Sequence, residues 1–281
     1  MLGHKLMQVL TERYDVEGTI RGSAAGYQAH PVLSKLRLLG GVMADNFDTI
    51  IRAVAKSRPD VVVNCIGIIK QHPGALDPLQ SILINSAFPH RLNALCQVSG
   101  ARMIHISTDC VFSGRKGNYR EEDLPDPEDI YGRSKLLGEV IDRGCLTIRT
   151  SMIGLELSAN FGLVEWFLSQ KGGHVRGFSG AIYTGFTTLA LARIISRLID
   201  EQPDLQGLWH VSSEAISKYD LLEIVNNDFR LGIQIERDEA FHCDRSLDST
   251  AFRRATNIEP LSWDQMIREM AADATSYERL I

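Results

Sequence analysis

The runs Arg102-Met103-Ile104-His105-Ile106-Ser107-Thr108-Asp109-Cys110-Val111-Phe112-Ser113-Gly114 and Tyr131-Gly132-Arg133-Ser134-Lys135 decide how this chain folds. The first is apolar up to Ile106 and then turns polar, which predicts a strand over 102 to 107 delivering Ser107-Thr108-Asp109 at its end. The second opens a predicted helix. Tyr131 and Lys135 stand four residues apart, so a helix places phenol and ammonium one above the other on one face. A phenol titrates near ~10, and a fixed cation beside it stabilises the phenolate and lowers that value, making Tyr131 a general acid usable near neutral pH. Thr108 can offer a hydroxyl to the same reacting oxygen. Taken alone, the Tyr131/Lys135 spacing is equally that of an ordinary pair on a helix surface.

Outward from these runs, strands and helices alternate. Leu2, Leu6, Val9 and Leu10 keep helical spacing, and residues 16 to 21 read as a strand. A loop covers 22 to 36, strand and turn cover 38 to 45, and a helix runs from Phe47 to Lys56. Val61-Val62-Val63-Asn64-Cys65-Ile66-Gly67 is almost unbroken in its apolar character, as a parallel strand covered on both faces requires. A long helix carries Ile82, Ile84, Leu92 and Leu95. The loop 113 to 130 has no folding pattern of its own and could help close a site. After the strand at 145 to 150 the alternation loosens, with a helix from Thr188, a strand at 207 to 211, a helix from Ser217, a strand at 233 to 235 and a last helix from Trp263. Alternation of this kind predicts an α/β fold, a Rossmann-like doubly wound parallel sheet with ligands at the carboxyl ends of its strands.

The Ser-Thr-Asp strand end, the Val111-Phe112-Ser113-Gly114 turn and the Tyr-x-x-x-Lys helix together resemble the extended short-chain dehydrogenase/reductase family, and within it the dTDP-4-dehydrorhamnose reductase branch. That resemblance implies Thr108, Tyr131 and Lys135 as the catalytic set, with Asn85 supporting the lysine. It implies cofactor contacts from Gly3, Arg21, Asp45, Asn64 and Gly67 besides Tyr131 and Lys135, and substrate contacts from Asp109, Asn160 and Arg245. It further implies that a strand and two more glycines of the phosphate-binding turn precede Met1 in the coding sequence, Gly3 being the last glycine of that turn. A natural shortening would instead abolish cofactor binding. Arg21 stands where an acid usually holds the ribose of NAD. An arginine there can pair with a 2'-phosphate, so NADP(H) is preferred and NAD(H) possible, although a solvated surface arginine fits the position too. Asp45 either touches the adenine or caps the next helix.

The resemblance implies a nucleotide-binding domain over 1–150 plus 186–211, a smaller substrate-binding domain over 151–185 plus 212–281, and a homodimer through helices near 85 to 98 or 131 to 143. The expected activity is NADPH-dependent reduction of the 4-keto group of a nucleotide-linked deoxysugar in polysaccharide precursor synthesis. Two alternatives stay open: a non-catalytic regulatory subunit like the beta subunit of methionine adenosyltransferase, and an NAD-dependent nucleotide-sugar epimerase.

Composition sets the bounds. The 281 residues suffice for a full core, and 44% hydrophobic content is that of an ordinary globular protein. A formal net charge of -5, from 30 basic and 35 acidic residues, gives no basic field for nucleic acid or an anionic membrane. With no apolar run near the ~20 residues that span a bilayer and no signal-peptide core, a cytoplasmic location is expected. The five cysteines are scattered, without Cys-x-x-Cys pairs or histidines at metal-ligand spacing, so reduced thiols and no metal are expected.

Overall fold

The computed structural model describes residues 1–27, 33–70, 77–157 and 162–273. Helix α1 (Leu2–Leu10) turns Leu2, Leu6 and Leu10 inward. It leads to β1 (Gly18–Thr19), which pairs in parallel with β2 (Leu38–Leu39). Helix α2 (Phe47–Ser57) follows and is stopped by Arg58 in the left-handed region at φ 45°. Then come β3 (Val61–Asn64), α3 (Pro78–Ser81), a π-helical segment (Ile82–Ala87) and α4 (Phe88–Ser99). Asp77 caps α3 by accepting from the Leu79 and Gln80 amides, with Pro78 in the first turn where a missing N–H does no harm.

Strand β4 (Arg102–Ile106), α5 (Ile130–Leu137) and β5 (Cys145–Arg149) complete the first half of the chain. The remainder is β6 (Met152–Ile153), α6 (Leu163–Leu168), β7 (His174–Tyr183), β8 (Phe186–Thr187), α7 (Thr188–Glu201), β9 (Gly207–His210), β10 (Ile216–Ser217), α8 (Lys218–Asp228), β11 (Gln234–Asp244), α9 (Thr250–Thr256) and α10 (Trp263–Asp273).

A four-stranded, wholly parallel sheet in the order β3-β4-β5-β9 forms the middle of the molecule. Its strands alternate between two apolar layers, as a sheet covered on both faces must. Val61, Val63, Ile104 and Ile106 join the larger cluster with α1, α7 and α10, while Val62 and Met103 face the smaller one with Phe88 and Leu92 of α4. The α/β, doubly wound expectation is borne out in class.

Several details differ from what the pattern suggests. Among the described residues the parallel strands do not form one ladder, since β1 and β2 make a separate two-stranded sheet. The long helix expected to carry Ile82, Ile84, Leu92 and Leu95 is broken by the π-helical turn, which the apolar spacing does not reveal. The strand expected at 233 to 235 runs eleven residues, from Gln234 to Asp244. It pairs in parallel with β7, which the pattern had not shown as a strand, and β10 joins β7 from the other side to give the order β10-β7-β11. These two long strands alternate weakly because much of their surface is half exposed, so period-2 patterning is faint. No helix among the described residues is long and apolar enough to cross a membrane.

Candidate active site

The residues expected to form the catalytic set, Thr108, Tyr131 and Lys135, come from two short, locally capped pieces. At the end of β4 the chain leaves the ladder, and Thr108 takes an extended conformation with its Oγ1 accepting the Cys110 amide at 3.1 Å. Asp129 caps α5 by accepting the Gly132 amide at 2.8 Å, and Lys70 pairs with the same carboxylate at 2.7 Å. The helix therefore starts one residue before Tyr131, and its first turn presents the phenol beside Thr108. Burial pushes the phenol well above its ordinary value, Cys110 adds to the rise, and the hydrogen bond with Thr108 opposes it.

Lys135 corrects one expectation. Its ammonium is buried, and Nζ donates to the Ile106 carbonyl at 2.7 Å. Burial brings its value down to about 8, against which Glu139 and then Cys65 raise it. The expected depression of the Tyr131 value is not found: the phenol is raised, because loss of water around the phenolate outweighs any help from the lysine. Tyr131 therefore stays protonated through neutral pH, the form a proton donor needs.

Asn85 lies in the π-helical turn, buried, with every polar atom engaged. Its Oδ1 accepts the Ile68 amide at 2.8 Å, and its Nδ2 donates to the Ile68 carbonyl at 3.0 Å and to Ser134 Oγ at 3.1 Å. It clamps the turn after β3 to α5, and its side chain meets Ser134 rather than Lys135. Asn64, also buried, bonds His105 Nδ1 at 3.0 Å and accepts the Ile66 amide at 3.1 Å, shaping the same turn.

Two cavities flank this centre. One, of about 450 Å3, is bordered by Arg21, Asp45, Cys65, Gly67 and Ile84. Gly3, in the first turn of α1, sits next to it, within 3.9 Å of Cys65 Cβ as measured from where a side chain would start. Arg21 and Asp45 are both exposed. The α2 N-cap is Asn46, so Asp45 does not cap that helix. A groove of this size, with an unburied guanidinium on its rim, backbone bared at Gly67 and a helix start beside it, fits a dinucleotide.

The other cavity, of about 510 Å3, shares Ile69 with the first and is bordered by Thr108, Asp109, Tyr131, Tyr183, Lys218 and Arg245 among others. Asp109 is buried and its carboxyl raised by burial, with Arg245 opposing. Arg245 is held by its Nε on the Phe112 carbonyl at 2.9 Å. Asn160 lies outside the described residues.

Of the far wall of this cavity, sequence reasoning singled out Arg245 but missed Lys218 and Phe241. Ser217 caps α8 through the Asp220 amide at 3.0 Å and so fixes Lys218 at the rim. The ladder between β11 and β7 shifts register between Asp238 and His242, and the bulge brings Phe241 to the cavity, 48% exposed, with Phe178 5.1 Å away between ring centres. Gly180 lies under the bulge, where a Cβ would come within 2.6 Å of the Phe241 carbonyl oxygen. An unusual Gly177/Gly180 pair in an otherwise unremarkable segment was the available signal. Glu139, Arg149 and His210 were also passed over.

Comparison with known proteins agrees with this geometry. Residues 21–276 match the family described as the RmlD substrate binding domain. The spore coat polysaccharide biosynthesis protein SpsK of Bacillus subtilis is 30% identical over 234 residues, covering 78% of this chain and 81% of that protein. The dTDP-4-dehydrorhamnose reductase of Aggregatibacter actinomycetemcomitans is 24% identical over 256 residues, covering 82% and 86%. Methionine adenosyltransferase 2 subunit beta of Danio rerio is 25% identical over 285 residues, covering 87% and 84%. Among solved structures, that of a hypothetical dTDP-4-dehydrorhamnose reductase from Sulfolobus tokodaii superposes with a TM-score of 0.76 at 26% identity, over 94% of each chain. The chain belongs to the RmlD substrate-binding domain family, in the dTDP-4-dehydrorhamnose reductase-like branch of the NAD(P)-dependent short-chain oxidoreductases.

Proposed function

We propose that this protein reduces the 4-keto group of a nucleotide-linked deoxysugar, dTDP-4-dehydrorhamnose or a close relative, with NADPH, in the synthesis of a polysaccharide precursor. The observation that carries this reading is that Thr108 and Tyr131 meet on the lining of the second cavity, with Lys135 buried behind them, while a neighbouring cavity that shares Ile69 is suited to a dinucleotide. Arg21, on the rim of the first cavity, offers a guanidinium for the 2'-phosphate, which favours NADP over NAD. Bound there, the cofactor supplies the hydride. Tyr131 holds the proton that the forming alkoxide takes at its phenol oxygen, and Thr108 hydrogen-bonds the same oxygen. Lys135, cationic below about pH 8, offsets the charge left on the phenolate until solvent returns the proton.

In the second cavity Arg245 and Lys218 provide charge for a diphosphate, while Asp109 is placed to accept a sugar hydroxyl. Residues 1–150 plus 186–211 would then serve the cofactor, and residues 151–185 plus 212–281 the sugar nucleotide. The exposed Leu79, Ile82, Leu83, Leu137 and Ile141, carried by α3, the π-helical turn, α5 and the segment after it, support pairing of two copies there. Sedimentation at micromolar concentration should give a dimer, and a monomer would remove this part.

NADPH oxidation measured with dTDP-4-dehydrorhamnose is the deciding assay. Tyr131→Phe should lower turnover by roughly 10²- to 10⁴-fold with cofactor affinity nearly unchanged. Full-rate oxidation by that variant would refute the assignment. A second reading is favoured by the likeness to subunit beta of methionine adenosyltransferase 2. On that reading the fold binds a partner chain and no keto sugar elicits oxidation.

A further inference from the structure

Beneath the catalytic set lies an ion pair that neither cavity accounts for. The Glu139 and Arg149 side chains are 7% and 5% exposed. Glu139 Oε1 accepts Ser107 Oγ at 2.7 Å and Arg149 Nε at 2.8 Å, and Oε2 accepts Arg149 Nη2 at 2.8 Å. Arg149 Nη1 lies 3.2 Å from His210 Nε2, and His210 Nδ1 reaches the Tyr119 carbonyl at 3.0 Å. Each guanidinium nitrogen and each carboxylate oxygen of the pair thus has a partner, which is the condition for a buried pair to be tolerated; a well-packed apolar pair of similar volume is often as stable. Stability alone is therefore a weak reason for it.

Its position suggests another. Tyr131, Lys135 and Glu139 follow one another at intervals of four residues, so the carboxylate continues the catalytic face of α5 past its last residue, Leu137. Gly138 permits this: a Cβ there would lie 1.8 Å from the Asn85 carbonyl oxygen, and its absence lets the chain pack inward against the π-helical turn. On the other side Glu139 grips Ser107, the residue before Thr108. The groups facing Lys135 are Glu139 beyond its own helix, Cys65 after β3, and His105 on β4, with the Met1 amino group close to Cys65. His105 is kept neutral by burial, and burial raises the Cys65 thiol to about 12. Glu139 is the anion among them.

We propose that Glu139, oriented by Arg149, is a positioning residue of the reductase site: its carboxylate is the counter-charge of Lys135 and the tether of the strand end that carries Ser107 and Thr108. The proposal rests on the reductase reading for its kinetic consequence, but not for its electrostatic one.

Glu139→Gln keeps the shape and an acceptor for Ser107 while removing the charge. In kcat/KM against pH, the loss of activity at high pH should move down by about one unit or more, leaving the rate nearly intact at pH 6 and about tenfold lower at pH 8. A purely structural role would lower the rate equally at every pH. Ser107→Ala should do the opposite, lowering kcat without moving the limb. Independently of any substrate, the Lys135 side-chain carbon signal in protein labelled with 13C-lysine should titrate at least about one unit lower in Glu139→Gln. That separates the two readings: a shifted titration without NADPH oxidation would sustain Glu139 as the counter-charge of Lys135 and sink the reductase. If the single variant fails to fold, Glu139→Gln with Arg149→Met removes both charges and should still shift the titration down, by less, because loss of the guanidinium offsets part of the change. An unmoved Lys135 titration in a folded variant would overturn the proposal, and so would the failure of both variants to fold, which would make the pair structural.

Discussion

The two walls of the larger cavity are built on different principles. The wall made by the end of β4 and the start of α5 is fixed by side chains bonded within two or three residues, Thr108 on Cys110 and Asp129 on Gly132, with Lys135 buried behind it on Ile106. The opposite wall, carried by the β10-β7-β11 sheet and the start of α8, includes half-exposed Phe241 and Arg245 and depends on a register shift between strands distant in sequence. Groups that transfer a proton tolerate little displacement, so they sit where local geometry dictates their place. Groups that hold a ligand can be carried on a looser and more variable frame.

If that contrast is correct, damage to the first wall should appear as lost stability or turnover, and damage to the second as weakened binding. The largest effect on stability is expected from Ile104→Ala. Ile104 is fully buried between β3 and β5, and its truncation should remove about 2–5 kcal/mol, read from urea denaturation.

Next comes a pH effect. The folded value of Lys135, about 8, lies below its ordinary 10.5, so between these values the unfolded chain binds more protons. Stability should therefore rise with pH across that window, by on the order of 3 kcal/mol from this group. Below pH 8 the full burial penalty applies. Lys135→Met should abolish this rise in the difference between the two proteins' denaturation curves, and parallel curves would count against it.

A smaller loss, about 1 kcal/mol, is expected for Asp129→Ala, which deprives α5 of its cap, with a drop in kcat as the phenol loses its orientation. The smallest stability effect belongs to Phe241→Ala. With its ring 48% exposed, the change should stay within about 0.5 kcal/mol while raising KM several-fold and leaving kcat near its starting value. If instead Phe241→Ala lowered kcat and Asp129→Ala raised KM alone, the contrast between the walls would fail.

Much of the first wall was legible because its signals are local. Met103, Ile104 and Ile106 in a run ending in Ser107-Thr108-Asp109, and Tyr131 with Lys135 one helical turn apart, specify a strand end and a helix face with few long-range terms. Even there the electrostatics were not legible: the spacing suggested that Lys135 would lower the phenol, whereas burial raises it and Lys135 turns to Ile106. Asn85 was expected to support the lysine, whereas its amide is spent on Ile68 and Ser134 because the π-helical turn aims it there. Arg21 and Asp45 do border one cavity together, although residues 22 to 44 separate them.

By itself the sequence determined the α/β class, the order of the parallel strands' apolar runs and the constellation of Thr108, Tyr131 and Lys135, because periodicity and helix geometry act over a few residues. Only the tertiary structure decided the pairing of β7 with β11, the bulge that presents Phe241, and the burial that holds Tyr131 protonated and Lys135 near its titration point. Strand register between distant segments and the loss of water around a charge depend on what packs from elsewhere in the chain, and no spacing of neighbouring residues encodes either.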